Sequence, residues 1–201
     1  MNTIKIIFLL MLMSMTHANE GIHKILIIGD SLTEGYGISK KDAYPTLLEK
    51  LLNQKKQKYK VINAGSSGST SASANSRLRW HLRSKPQTLI LALGANDGLR
   101  GINPKATKEN LQKAITLAKK NKVRVILAGM QMPYNYGEDY RKNYSQAFKE
   151  LVKENKLTFI PFLLKGVGGK KELNISDGIH PNEKGHKIIA KNLADFLKDK
   201  L

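Results

Sequence analysis

Five short apolar runs constrain this chain more than any other feature. They lie at residues 24–28, 59–62, 88–93, 123–128 and 158–160, are rich in Ile, Leu and Val, and do not alternate with polar residues. A strand with one wet face alternates with period two, so runs that do not alternate read as strands buried on both faces. Segments of helical spacing separate them. One opens at Tyr44-Pro45 and carries Leu47, Leu48, Leu51 and Leu52, and a second over residues 69–83 holds Leu78 and Leu82. A third has Asn103 as cap, Pro104 in its first turn, and then Leu111, Ile115 and Ala118. A fourth covers about 138–154, and the last runs from Pro181 through Ile188, Ile189, Leu193 and Phe196. Strand and helix alternate five times, which predicts a parallel sheet covered by helices on both sides, an α/β chain of three α/β/α layers. Right-handed crossovers then favour the strand order 2-1-3-4-5, with any ligand outside the carboxyl ends of the strands.

The first 18 residues have a different character. Lys5, an apolar stretch from Ile6 to Met15, and Thr16-His17-Ala18 make a secretory signal peptide (1–18) cleaved after Ala18, leaving one domain over residues 19–201. The apolar stretch falls short of the roughly 20 residues a membrane span needs, though an uncleaved anchor is the competing reading. The sequence has no cysteine, so a lipid-bearing cysteine, a disulfide framework and thiolate chemistry are all excluded. A secreted or periplasmic location follows from the signal. The formal charge is +18, which admits nucleic acid, an anionic membrane surface or an acidic substrate as partner. Export and the lack of any aromatic-rich basic motif argue against nucleic acid. Transient contact with an anionic membrane stays open.

Four segments at the expected rim carry the chemistry. Gly29-Asp30-Ser31-Leu32 follows the first run and places a serine where a turn or helix start offers free backbone N–H groups. By itself it reads equally as a capped turn. It is not a nucleophile elbow, because Thr33 stands where G-x-S-x-G needs its second glycine. The stretch 63–70 is crowded with small residues and offers the Gly68 N–H as a donor; a phosphate loop would need a lysine there, and none is present. Asn96 in Gly94-Ala95-Asn96-Asp97 offers a side-chain amide, with an Asx turn as the rival reading. Asp177 and His180, three residues apart near the end of the chain, are a base and its orienting carboxylate. A serine hydroxyl needs both to act as a nucleophile. Ser31 N–H, Gly68 N–H and Asn96 would then form an oxyanion hole. A metal site at Asp177 and His180 would require a third ligand. His23, His81 and His186 read instead as surface histidines before the first strand, in a basic helix and on the polar face of the last helix.

These blocks, in this order, resemble those of the SGNH, or GDSL-motif, hydrolase family, and the similarity spans the domain. Residues 29–37, 96–101 and 177–182 carry a closer likeness to its thioesterase, arylesterase and lysophospholipase branch. The resemblance implies a flavodoxin-like fold, no cofactor, Ser31 as nucleophile, His180 as base, Asp177 as its orienter, and Ser31, Gly68 and Asn96 as the oxyanion hole. It also implies a loop over residues 98–103 that moves when ligand binds, with Gly98 and Gly101 absorbing the torsion changes.

The expected activity is hydrolysis of carboxylic esters through an acyl-enzyme on Ser31, with a small ester, thioester or lysophospholipid as substrate and the chain acting as a monomer. Leu99, Met132, Pro133 and Tyr136 are candidates for the acyl-binding wall, Met being an adaptable apolar surface. The segment 162–169 is a candidate for the edge of that pocket. A carbohydrate O-acetyl esterase of the same fold and a noncatalytic envelope protein that binds lipid or glycan are the alternatives.

Overall fold

The computed structural model describes residues 21–54 and 57–201. The expected signal peptide lies outside them. Five strands, β1 (His23–Gly29), β2 (Tyr59–Gly65), β3 (Thr88–Ala92), β4 (Arg124–Ala128) and β5 (Thr158–Ile160), form one parallel sheet. Their order is β2-β1-β3-β4-β5, as the alternating pattern predicts. Seven α-helices accompany them among the described residues: α1 (Ser31–Glu34), α2 (Tyr44–Leu52), α3 (Ala74–His81), α4 (Ala95–Leu99), α5 (Pro104–Lys120), α6 (Glu138–Asn155) and α7 (Glu183–Leu197). Among the described residues no helix is long and apolar enough to cross a membrane.

The non-alternating runs have a direct physical reading. Leu26, Ile28, Leu89, Leu91 and Leu127 point to one side, where they meet α3, α5 and α6. Ile25, Ile27, Ile90 and Ile126 point to the other, against α2 and α7. Successive strand residues face opposite ways, so two buried faces demand an apolar residue at every position.

Sequence and structure differ at several boundaries. β2 continues over Asn63, Ala64 and Gly65, because those residues pair with Ile27, Ile28 and Gly29 of β1. The helix expected over 69–83 is a short α3 flanked by single 3₁₀ turns at Ser71–Ser73 and Leu82–Ser84. At α5, Asn103 Oδ1 accepts the Lys105 N–H at 2.9 Å, the cap its sequence predicts.

Close approach explains two glycines at the rim. A Cβ on Gly29 would lie 1.9 Å from Thr33 Oγ1, and one on Gly65 would lie 2.1 Å from the Glu34 backbone N. Their missing side chains let α1 sit directly on the carboxyl ends of β1 and β2. That contact fixes where Ser31 stands.

Candidate active site

Asp30 caps α1 by accepting the Leu32 N–H at 3.0 Å, which leaves Ser31 in the first helical turn at the end of β1. Its backbone N–H belongs to the set that a helix start cannot pair internally. The loop 177–180 approaches from the far end of the chain. His180 Nε2 accepts the Ser31 hydroxyl at 2.8 Å, and His180 Nδ1 donates to Asp177 Oδ2 at 2.6 Å. Asp177 Oδ1 takes the backbone N–H groups of Ile179 and His180, each at 3.0 Å. Desolvation works against the Asp177 charge, but those N–H groups and the imidazole outweigh it and hold the carboxyl at about 2. A carboxylate that only accepts leaves the Nδ1 proton in place and Nε2 free to take a proton. Tyr36 covers the imidazole with ring centroids 4.7 Å apart.

Asp30 has the opposite character. It is 2% exposed, and burial raises its carboxyl to about 6, against the pull of the Leu32 and Asp30 N–H groups, His180 and Arg77. Arg77 bridges the two strand ends beneath it, with one nitrogen donating to Gly29 O at 2.9 Å and another to Ala64 O.

The loop after β2 is held from three directions. Glu34 accepts the Ser67 N–H at 2.7 Å and the Ser67 hydroxyl at 2.5 Å, Arg100 donates to Gly68 O at 3.0 Å, and Asn96 Nδ2 donates to Ser69 O at 3.0 Å. These contacts put the Gly68 N–H, the Ser31 N–H and the second Asn96 N–H on one rim, without a protein partner for either backbone group among the described residues. Behind Asn96, the buried Asp97 carboxylate accepts the Ser71 N–H at 2.8 Å, the Ser71 hydroxyl, and the Thr107 hydroxyl at 3.2 Å. Asp97 stood in the sequence motif without a role. Its neighbours here are 26 and 10 residues away, and nothing local announces them.

A cavity of about 710 Å³ opens from Ser31, Asn96 and His180. Leu99, Met132 and Pro133 line it, joined by Met130, Phe162, Leu164, Gly168 and Gly169. Tyr136 is outside that lining. Its hydroxyl donates instead to Leu99 O at 2.9 Å, because the 3₁₀ turn Tyr134–Tyr136 directs the ring toward the end of α4. Tyr140 likewise donates to Ile102 O at 2.8 Å, so two tyrosines hold the segment 98–103. Of the two glycines expected to flex there, Gly101 has a φ of 65°, whereas Gly98 lies inside α4, where a Cβ would come within 2.1 Å of Met132 Sδ.

The histidine expectations need correction. His186 is 1% exposed, not a surface residue: its Nδ1 accepts the Tyr44 N–H at 3.1 Å, and its ring stacks on Tyr44. Desolvation first, then His180, lowers its pKa to about 4 despite Glu183, so the ring is neutral. The last helix packs on α2, so the face assigned as polar is interior there. His23 lies within β1, half-buried, with Nε2 3.0 Å from Thr88 Oγ1. His81, also half-buried, ends α3. Among the described residues no three His, Asp or Glu side chains gather to hold a metal.

A parallel three-layer sheet with an Asp-His-Ser hydrogen-bond chain at its carboxyl rim defines a serine hydrolase. Residues 27–188 match the GDSL-like lipase/acylhydrolase family, and the chain belongs to it. Esterase TesA of Pseudomonas aeruginosa is 35% identical over 87% of this chain and 87% of its own length. The thioesterase 1/protease 1/lysophospholipase L1 of Escherichia coli K12 is also 35% identical, over 94% of this chain and 90% of its own. The crystal structure of TesA superposes with a TM-score of 0.85 at 34% identity, covering 89% of this chain and all of that one (100%). The chain is a serine ester hydrolase acting on carboxylic esters.

Proposed function

We propose that Ser31 is the nucleophile, His180 the general base and Asp177 the group that orients it. The observation that carries this reading is the continuous Asp177–His180–Ser31 hydrogen-bond chain at the mouth of the apolar-walled cavity. Ser31 Oγ attacks the ester carbonyl carbon as His180 Nε2 takes its proton, and Asp177 stabilises the imidazolium that forms. The carbonyl oxygen, now negative, meets the Ser31 and Gly68 N–H groups and the Asn96 amide, donors aimed where charge develops. The tetrahedral intermediate collapses, the C–O or C–S bond to the leaving group breaks, and His180 returns the proton to that group. Water activated by His180 then releases the acid and restores Ser31.

The acyl chain occupies the space bounded by Met130, Met132, Phe162 and Leu164, which favours chains longer than acetyl. The proposed nucleophile and oxyanion donors act on the carbonyl group that aryl, glyceryl and thiol esters share, so all three are within reach, in line with the names of the relatives. The chain is exported by removal of residues 1–18, works as a monomer in the periplasm or outside the cell, and its cationic surface favours brief contact with anionic membranes. A series of p-nitrophenyl esters tests the substrate reading. A maximum at medium chains supports it, and a maximum at acetyl points to an acetyl esterase. Fluorophosphonate labelling that is lost in Ser31→Ala supports the nucleophile; labelling that persists removes it. A mature N-terminus at Asn19, read by mass spectrometry of the exported protein, tests the processing.

A further inference from the structure

The segments that lead into β2, β3, β4 and β5 each carry an exposed lysine just before the strand: Lys58, Lys85, Lys122 and Lys156. Because the strands are parallel, these residues share one edge of the sheet, at the pole opposite Ser31. Three of them, Lys85, Lys122 and Lys156, are the only non-glycine residues with positive φ among those described, at 52°, 58° and 51°. Each closes a helical segment, with its N–H donating to Leu82 O at 2.9 Å, Lys119 O at 2.9 Å and Lys153 O at 3.4 Å respectively. Glycine is the residue that fits such a helix end, since a Cβ in the left-handed region costs roughly 1–2 kcal/mol. A cation at a helix carboxyl end recovers part of that cost. The chain thus places a cationic side chain at three sites where glycine is the unstrained choice.

Exposed Arg83, Lys119, Lys120 and Lys153 widen the same edge. The acids near this pole are few: Glu154 on α6 is engaged by Lys108 at 2.7 Å, Glu49 on α2 by Lys60 at 3.2 Å, and Asp199 lies near the end of the chain. Asp30, Glu34, Asp97 and Asp177 all stand at the opposite rim. Beside the lysines, on the last turn of α3, is Trp80. It is the only tryptophan in the sequence and is 60% exposed, with the Arg83 guanidinium 3.1 Å above its ring. Tryptophan collects at membrane–water interfaces, and each Lys or Arg beside an anionic bilayer contributes about 1 kcal/mol. A soluble polyanion would match the lysines but gives the exposed indole no apolar phase to enter.

We propose that this pole docks on an anionic phospholipid bilayer and turns the catalytic rim toward the aqueous phase. The inference rests on the reading of an exported enzyme and adds that its esters arrive from water rather than from the membrane beneath. Trp80 emission, a reporter of this one position, and cosedimentation are measured with phosphatidylglycerol and with phosphatidylcholine vesicles. The anionic vesicles should bind the protein and shift Trp80 emission to the blue, while the neutral ones do neither. The combined variant Lys85→Gly, Lys122→Gly and Lys156→Gly relieves three left-handed side chains, so it folds, and should lose roughly a hundredfold in vesicle partition. Trp80→Ala should weaken cosedimentation severalfold. Hydrolysis of a soluble p-nitrophenyl ester should be unchanged in both variants, so vesicle binding and catalysis are read separately. Undiminished binding by the triple variant, equal binding to neutral vesicles, or binding of heparin without vesicle binding would each overturn the proposal.

Discussion

His186 Nδ1 accepts the backbone N–H of Tyr44 at 3.1 Å and so supplies the cap that the first turn of α2 lacks, since Ala43 has no side chain to do it. The bond joins residues 142 positions apart and ties the two helices on one side of the sheet. It exists only while the ring is neutral.

That requirement sets a pH dependence. The His186 pKa falls to about 4 in the fold, from about 6.5 in the unfolded chain, so the unfolded state binds the extra proton between those values. Its stabilisation is complete above about pH 6.5 and is lost as pH falls toward 4, by about 3 kcal/mol at most. Asp30 acts in the opposite sense, because a carboxyl raised to about 6 favours the fold at low pH. The difference in unfolding free energy between wild type and His186→Asn at each pH isolates the histidine. That difference should shrink steadily from pH 7 to 4, and a constant gap would refute the assignment.

Asn96→Ala removes one donor from the proposed oxyanion hole and should lower kcat on the order of 10²–10³ with little change in KM. Steady-state kinetics on a soluble ester decide it. An unchanged kcat rules the role out. His180→Ala should abolish turnover above the background of the remaining donors.

Asp97→Ala removes the acceptor of the Ser71 N–H, of the Ser71 hydroxyl and of the Thr107 hydroxyl in the interior, leaving Ser71 Oγ only the Asn110 amide. Buried groups left unpaired cost about 1–3 kcal/mol each, so the variant should lose at least about 3 kcal/mol and roughly 10 °C in Tm. Thermal unfolding by circular dichroism measures it. The surviving folded fraction should also show a lowered kcat, because Asn96 is carried by the same turn.

Gly98→Ala tests the wall of the cavity. Its Cβ would overlap Met132 Sδ and crowd Tyr144, so Met132 must move. The expected cost is about 1–3 kcal/mol, with kcat/KM falling for medium-chain esters more than for acetyl. An equal fall across the chain-length series would show that Met132 does not shape acyl specificity.

The serine, the aspartate–histidine pair and the sheet were legible in the sequence for different reasons. Residues 25–28 and 89–93 are apolar at every position because both sheet faces are covered, and that pattern survives without any knowledge of the partners. Ser31, Asp177 and His180 were legible as motifs of chemistry-bearing residues at fixed spacing. Tyr136 was assigned to the acyl wall from its position after β4, yet a single 3₁₀ turn sends its hydroxyl to Leu99. Asn63 to Gly65 looked like loop because small polar residues suit turns, but pairing with β1 draws them into the strand.

The sequence by itself determined the layer architecture and the strand order, and it named Ser31, Asp177 and His180 as the candidate reacting side chains, because local periodicity and short motifs carry that information. Only the tertiary structure decided that His186 is an interior acceptor, that Asp97 braces the turn bearing Asn96, that Tyr36 covers His180, and that four lysines share one pole. Each of these depends on elements brought together by parallel crossovers from tens of residues away. Such contacts leave no trace in the spacing of neighbours along the chain.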